Sequence, residues 1–276
     1  MKIVKNKKII YSYVMGRLSK KIGDKYQYFP IDNWQNEINI AKKLSFDSME
    51  WIISDYSNPI FNNIYLEDIK KRLKIEKLKI NSIYLDLVMN EPLQKISTKN
   101  LNLILKKIIN IQKKIKINRI TFPVEEKSRI YFDEDKKKVT NQLSKIIDEL
   151  GKKSKICIET DMSPATLKMF LDQRKLKKLS VLLDLGNIRA NGFKIEDYLK
   201  KISDKIFAIH VKYGDKFYGK SKVIPKNFEE LSFVFKNYKK FKNLNDFTFQ
   251  TFRSDKNFIK DMKKSIKNFN EILKKK

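Results

Sequence analysis

The chain has 276 residues, with 61 lysines and arginines against 32 aspartates and glutamates, and its formal charge at neutral pH is +29. Because 41% of the residues are hydrophobic, there is enough apolar mass for a large core, which argues against disorder of the whole chain. The single cysteine, Cys157, excludes an intramolecular disulfide, and the single histidine, His210, excludes any site that needs two imidazoles.

Short apolar segments alternate with longer amphipathic, lysine-rich segments along the chain. Short apolar runs predict strands, and apolar residues that recur every three or four positions predict helices. In chain order we predict strand 9–14 and helix 33–44, strand 48–53 and helix 65–75, strand 80–85 and helix 98–116, strand 119–123 and helix 133–150, strand 155–159 and helix 164–173, strand 180–184 and helix 195–203, strand 206–211 and helix 227–240, and strand 247–251 and helix 257–273.

Local signals support several of these helix boundaries. Asp32 precedes the first helix, and Gly151 stands where the fourth should end. Ser163 followed by Pro164 is typical of an N-cap with proline at the first helical position. The chain therefore contains the helix start and stop signals that separate strand–helix units require.

Eight strand–helix units with short links predict a parallel sheet, and eight units close a (β/α)₈ TIM barrel of about 250 residues. We predict one α/β barrel domain over 1–276, with about the first eight and last three residues peripheral. The alternative, an open doubly wound sheet, needs a glycine-rich turn after its first strand, whereas residues 15–19 contain one glycine. No segment is apolar enough to span a membrane, and we expect a soluble cytoplasmic protein.

The carboxyl ends of the last four predicted strands carry polar side chains. Catalytic groups of such barrels lie at this end, and Glu159, Asp184, His210 and Gln250 occur there on consecutive strands. Taken singly, each is more often a hydrogen-bonded or turn-forming residue than a ligand. Together, two carboxylates, an imidazole and an amide favour a site for a hard divalent cation, with Mg²⁺ or Mn²⁺ ahead of Co²⁺ or Zn²⁺.

Motifs along the chain resemble the sugar phosphate isomerase/epimerase branch of the xylose-isomerase-like barrels, from about residue 14 to 273. They are Met15-Gly16-Arg17-Leu18-Ser19, Phe29-Pro30, Trp34, Ala41-Lys42, Phe46-Asp47-Ser48-Met49-Glu50-Trp51-Ile52, Glu159-Thr160-Asp161, Asp184-Leu185-Gly186-Asn187, His210-Val211-Lys212 and Gln250-Thr251-Phe252-Arg253. The resemblance implies a metal-dependent isomerase or epimerase that interconverts ketoses, aldoses or their phosphates, in carbohydrate metabolism.

Carried over residue by residue, the resemblance makes Glu159, Asp184 and His210 three of the four metal ligands. The fourth ligand, a glutamate in many relatives, is Gln250 here. Where relatives commonly have Asp-Arg after His-x-Lys, this chain has Tyr213-Gly214, and a Val-Pro-Leu-Gly-x-Gly loop is shortened to residues 223–225.

Roles for the remaining site candidates follow from their chemistry. Glu159 is the candidate base, and Asp161 or Lys212 a proton shuttle, in a one-base mechanism through a cis-enediol, because the Gln250 amide cannot accept a proton. Glu50 is expected to hold a sugar hydroxyl or act as a second base. The predicted substrate-binding residues are Arg17, Asn187, Lys212 and Arg253, the two arginines being either phosphate or carboxylate ligands or mere surface charges.

Two other functions stay open. The charge of +29 would suit a nucleic-acid-binding barrel related to apurinic-site endonucleases, but those enzymes use a zinc site rich in histidine, and the lysines here are spread along the chain as a background bias. The loss of the fourth carboxylate would also suit a catalytically degenerate barrel. We expect a small sugar or sugar phosphate as the partner, without membrane or nucleic acid, and leave a homodimer open.

Overall fold

Eight parallel strands close into a barrel in the computed structural model, which describes residues 2–4, 7–21, 23, 27–217 and 221–275. The strand β8 pairs with β7 and with β1, and β1 pairs with β2, so the sheet has no open edge among these strands. The predicted (β/α)₈ barrel is confirmed, and the doubly wound alternative is wrong. The barrel strands are β1 Lys7–Val14, β2 Ser48–Ile52, β3 Lys79–Tyr84, β4 Arg119–Val124, β5 Lys155–Thr160, β6 Ser180–Asp184, β7 Ile206–Val211 and β8 Asp246–Phe249.

The helices surround the barrel at the predicted positions, with two differences. The segment predicted as helix 227–240 is split into α8 and a 3₁₀ turn at Tyr238–Lys240, and the short helix α6, directly after β6, was not predicted. No helix in the described part of the chain is long and apolar enough to cross a membrane. The α-helices are α1 Trp34–Lys43, α2 Asn63–Glu76, α3 Thr98–Lys114, α4 Asp133–Leu150, α5 Pro164–Leu171, α6 Leu185–Ala190, α7 Ile195–Ile202, α8 Glu229–Lys236 and α9 Phe258–Lys274.

The helix caps only partly follow the sequence signals. The Ser163 hydroxyl accepts a hydrogen bond from Thr166 N at 3.2 Å, so the predicted N-cap of α5 is confirmed. Asp32 is exposed, and the residue at the N-cap of α1 is Asn33, because a turn at residues 31–33 delays the helix by one position. The first helix is therefore stabilised mainly by packing of its buried face.

Two short pairings extend the barrel. The strand Lys2–Val4 runs antiparallel to the start of β1, and Tyr213–Gly214 pairs with Ser221–Lys222 in the connection after β7. Peripheral ends were predicted at residues 1–8 and 274–276, and Met1, Lys5, Asn6 and Lys276 among them lie outside the described residues. The pairing after β7 occupies the connection in which the sequence departs from the family pattern.

The interior of the barrel is unusually polar. TIM-barrel interiors are mostly filled by branched apolar side chains. Here Arg119, fully buried on β4, reaches across to Asp246 on β8 at 3.0 Å and also contacts Glu50 on β2 at 2.8 Å. Ser82 and Thr248 accept hydrogen bonds from the same guanidinium group at 3.0 and 3.2 Å. An ion-paired core therefore lies inside the barrel, in contact with the strands that carry the candidate metal site.

Candidate metal and substrate site

Three of the four predicted metal ligands meet at the carboxyl ends of β5, β6 and β7. One potential ligand atom from each of Glu159, Asp184 and His210 lies within 4.8 Å of the others, and all three residues are buried. The convergence follows from the sheet, because Asp184 and His210 are paired in register and Glu159 comes from the neighbouring strand. The barrel thus brings together residues that are far apart in sequence.

The imidazole of His210 lies between two carboxylates. Its Nδ1 is 3.0 Å from Glu159 Oε1, and its Nε2 is 2.7 Å from Glu50 Oε1. Burial by itself would lower the pKa of His210, but the charges of Glu159 and Glu50 outweigh it and raise the pKa to about 10. Without a cation the ring is therefore an imidazolium, whose positive charge neutralises the surrounding carboxylates.

Three ligand oxygens of the predicted set are buried without a hydrogen-bond donor among the described residues. They are Glu159 Oε2, Asp184 Oδ2 and Gln250 Oε1, although Lys212 Nζ approaches Asp184 Oδ2 at 3.5 Å. Leaving buried acceptors unsatisfied is costly, so they call for a partner such as a cation. Two ligand atoms that bind an ion of the size of Mg²⁺ at a right angle to each other lie about 3 Å apart. The distance between His210 Nδ1 and Glu159 Oε1, 3.0 Å, is close to this value.

The Gln250 side chain is held in a definite orientation. Its Nε2 donates to Gln27 Oε1 at 2.7 Å, so its own carbonyl oxygen is the end without a partner. Two carboxylates, an imidazole nitrogen and an amide oxygen fit a hard divalent cation, and the carboxylates balance its charge. The residues present therefore fit a resident divalent ion.

Affinity for a divalent cation should rise with pH. A cation can bind Nδ1 only after the ring loses its proton, so below a pKa of about 10 the association constant should rise about tenfold per pH unit. Calorimetric titration with Mn²⁺ between about pH 6.5 and 8, in buffers of different ionisation enthalpy, measures both the slope and the proton released. An affinity that does not change with pH would contradict the imidazolium assignment.

A cavity of about 480 Å³ lies at the mouth of the barrel, and Gln250 and Lys212 are in its lining, whereas Glu159, Asp184 and His210 are not. Lys212 lines it and donates to Asn187 Oδ1 at 3.3 Å. A Cβ on Gly186 would come within 2.7 Å of Lys212 Cγ, so glycine leaves the room that the lysine stem needs to approach Asp184. The cavity walls are otherwise mostly polar: Gln27, Tyr28, Ser54, Tyr84, Asp86, Met89, Asn90, Glu125, Glu126, Lys127 and Gln250.

Three carboxyl groups of this cavity, on Asp86, Glu125 and Glu126, were missed by the sequence analysis. Glu125 accepts a hydrogen bond from Asn187 Nδ2 at 2.5 Å, and burial and then the charge of Glu159 raise its pKa well above the usual range. Burial raises the pKa of Asp86 to about 6. Each lies one or two residues beyond the end of β3 or β4. A carboxylate directly after a predicted strand is the sequence signal that identifies them.

Two predicted catalytic residues are engaged elsewhere. Glu50 is fully buried, does not line the cavity and is ion-paired with Arg119, which together with His210 overcomes burial and lowers the pKa of Glu50 to about 2. Asp161 lies outside the cavity lining and pairs with Arg129. Glu126 N also donates to Asp161 Oδ2 at 3.4 Å. The Asp161 carboxylate therefore binds the backbone of the loop after β4.

The two arginines predicted to bind substrate are buried at the barrel mouth. Arg17 donates to Gln27 Oε1 at 3.1 Å, and Arg253 donates to the carbonyl oxygens of Gly16 and Ser19. The alternative that they are surface charges is wrong, because their exposed fractions are 2% and 9%. Arg253 also lines a second cavity, of about 650 Å³, which shares Glu126 and Lys212 with the first.

Solved structures of xylose-isomerase-like barrels share this fold. A xylose isomerase domain protein from Planctomyces limnophilus is 11% identical with a TM-score of 0.74, over 97% of this chain and 98% of that chain. The IolI protein, solved with a bound zinc atom, is 13% identical with a TM-score of 0.73, over 97% and 99%. A D-psicose 3-epimerase from Clostridium cellulolyticum H10, solved with D-tagatose, is 12% identical with a TM-score of 0.68, over 96% and 99%.

No sequence family and no curated protein gives a significant match to the chain. The likeness to solved structures covers nearly the whole chain at low identity, and it therefore establishes the fold. The predicted resemblance to xylose-isomerase-like barrels is confirmed at that level.

Proposed function

We propose that the chain is a divalent-metal-dependent isomerase or epimerase that acts on a small sugar by proton transfer next to a carbonyl group. The observation that carries the proposal is the set of buried, unsatisfied oxygens on Glu159, Asp184 and Gln250 beside the His210 imidazole. The adjoining polar cavity supports a substrate with several hydroxyl groups. Solved barrels of the same fold include an epimerase with a bound ketose.

When bound, a divalent cation would polarise the sugar carbonyl and acidify the neighbouring C–H group. In our proposal Glu159, Asp184, His210 and Gln250 hold that cation, and Glu159 also removes the proton. Gln250 cannot take part in proton transfer, because an amide has no accessible basic form. Lys212, on the cavity wall and 3.5 Å from Asp184, places an ammonium group where it can donate to a substrate oxygen.

An uncharged sugar fits the cavity better than a sugar phosphate. Phosphate sites usually gather several cations. Here Arg17 and Arg253 donate to the protein itself, and among the described residues two lysines, Lys127 and Lys212, line the first cavity. Among the described residues of the second cavity, the cationic side chains of Lys21, Lys212 and Arg253 are matched in number by the carboxylates of Glu126, Asp215 and Asp255. We therefore expect turnover of free ketoses or aldoses in preference to their phosphates.

Hydrogen exchange with solvent tests the reaction directly. The protein with Mn²⁺, Mg²⁺ or Co²⁺ is incubated in D₂O with a panel of sugars, each free and phosphorylated, and products are followed by NMR. We expect one deuterium at the carbon next to the carbonyl, and loss of this exchange in Glu159→Gln assayed at a Mn²⁺ concentration that saturates its weakened site. A catalytically degenerate barrel predicts no exchange with any sugar, and that outcome would overturn the proposed reaction.

Replacing Gln250 with glutamate should raise the affinity for Mn²⁺ about tenfold, because a third carboxylate adds negative charge at the cation. Gln27→Glu is the matched control, since Gln27 is hydrogen-bonded to Gln250 and lines the same cavity but is not a proposed ligand. Calorimetric titration measures both affinities. A gain that is no larger for Gln250→Glu than for Gln27→Glu would contradict the proposed role of Gln250 as fourth ligand.

Binding of nucleic acid at this cavity is less favourable than binding of a sugar. Among the described residues of its wall, three carboxyl groups, on Asp86, Glu125 and Glu126, stand beside two lysines, and the buried Asp184 lies 3.5 Å from one of these lysines, Lys212. A phosphodiester would meet these groups without a matching set of cations. Affinity for DNA that persists at physiological salt would favour the nucleic-acid alternative instead.

A further inference from the structure

We propose that Glu50, held in place by Arg119, is a positioning residue that fixes the ring of His210 with Nδ1 directed at the metal site. This assignment rests on the proposed metal site, and it replaces the role of second base or hydroxyl ligand predicted for Glu50. It concerns which ring nitrogen becomes the ligand and how firmly the ring is held, and it assigns Glu50 no contact with substrate.

The first step is the placement of the two ring nitrogens. Nε2 of His210 is 2.7 Å from Glu50 Oε1, whereas Nδ1 is 3.0 Å from Glu159 Oε1. A neutral imidazole carries one N–H group and one lone pair, and the hydrogen bond made by one nitrogen decides which lone pair is left for a metal. When a cation replaces the proton on Nδ1, a ring that keeps its Nε2–H group donated to Glu50 presents the Nδ1 lone pair on the side of Glu159.

The second step is the fixed position of the Glu50 carboxylate. Its other oxygen, Oε2, is 2.8 Å from Arg119 Nη1 and accepts a hydrogen bond from Ser82 at 3.0 Å. Arg119 is in turn anchored to Asp246 at 3.0 Å on the far side of the barrel. Because Arg119 and Ser82 hold Oε2, the other oxygen, Oε1, is directed at His210.

The third step is burial. The side chains of Glu50, Arg119, His210 and Asp246 are all 0% exposed, and none of them lines either cavity at the barrel mouth. Glu50 contacts the proposed ligand set through His210, and its other partners are Arg119 and Ser82 inside the barrel. It is therefore placed to orient a metal ligand from behind.

The single histidine makes the ring geometry directly observable. Protein labelled with ¹⁵N in the histidine ring and loaded with ¹¹³Cd²⁺ gives two ring nitrogen signals. We expect one-bond coupling to cadmium at Nδ1 and an attached proton at Nε2. Coupling at Nε2 would overturn the proposal, and this measurement needs no variant.

Two substitutions separate positioning from charge. Glu50→Ala and Glu50→Gln remove the same negative charge, but only glutamine keeps an oxygen that can accept from Nε2–H. We expect Cd²⁺ affinity to fall about 10- to 100-fold in Glu50→Ala, with much of the loss restored in Glu50→Gln. Equal losses in the two folded variants would show a charge effect and would overturn the positioning role.

Glu37→Gln is the control for loss of a buried carboxylate. Glu37 is also 0% exposed, but it accepts hydrogen bonds from Gly16 N and Leu18 N instead of from the histidine. We expect its ring nitrogen signals and Cd²⁺ affinity to match the unmodified protein. If the unmodified protein binds no Cd²⁺, Mn²⁺ or Zn²⁺, the proposed metal site is wrong. If it binds Cd²⁺ with coupling at Nε2, the metal site stands and only the proposed role of Glu50 is wrong.

Discussion

Replacing Arg119 with methionine is expected to lower the free energy of unfolding by about 3–5 kcal/mol, because it leaves Glu50 and Asp246 as buried charges without their shared cation. Arg119 is fully buried and hydrogen-bonded to Thr121, Ser82 and Thr248 as well. Equilibrium urea denaturation of the two proteins measures the change. The comparison is made without added metal, so that cation binding does not contribute.

Arg72→Met is the matched control for this substitution. Arg72 also pairs with a carboxylate, Asp68, at 2.9 Å, but its side chain is 41% exposed, so the expected loss is at most about 0.5 kcal/mol. Combining Arg119→Met with Glu50→Gln and Asp246→Asn should recover part of the lost stability, since no uncompensated buried charge remains. Equal losses for Arg119→Met and Arg72→Met would contradict an ion-paired barrel core.

Asp184→Asn is expected to weaken the binding of Mn²⁺ by at least about 100-fold. The change removes one of the two carboxylates that we propose balance the cation, and loss of a metal ligand lowers affinity more than loss of a residue that supports a ligand. Asparagine also caps helices well, so the hydrogen bond that Asp184 accepts from Asn187 N at the start of α6 can be kept. A loss of affinity is then a loss at the metal site and not of the helix.

Asp161→Asn provides the comparison, because Asp161 follows the same strand as Glu159 but is paired with Arg129 away from the cavity lining. We expect its Mn²⁺ affinity to stay within about threefold of the unmodified protein. Calorimetric titration at one pH, with folding checked by circular dichroism, measures both variants. Unchanged affinity in Asp184→Asn would rule out Asp184 as a ligand.

The barrel could be predicted from the sequence because its signals are local. Strand and helix patterns repeat within a few residues, and eight such units leave few ways to bury their apolar faces. The fold class then placed the ends of β5 to β8 at one mouth, which is how Glu159, Asp184 and His210 were singled out. The same reasoning applied to β3 and β4 would have found Asp86 and Glu125.

The partner that a side chain meets across the barrel interior cannot be predicted from the sequence around that side chain. Strand alternation can direct Glu50 inward, but only the closed sheet shows that Arg119 from β4 and Asp246 from β8 meet it there. The burial of Arg17 and Arg253 likewise depends on contacts outside their own segments, with Gln27 for Arg17 and with Gly16 and Ser19 for Arg253. The helix α6 forms because Asp184 caps it after the strand ends. Local sequence patterns were enough to predict the barrel and to place three candidate ligands at one mouth. Contacts between residues far apart in the chain set which charged groups face the cavity and which neutralise one another in the core.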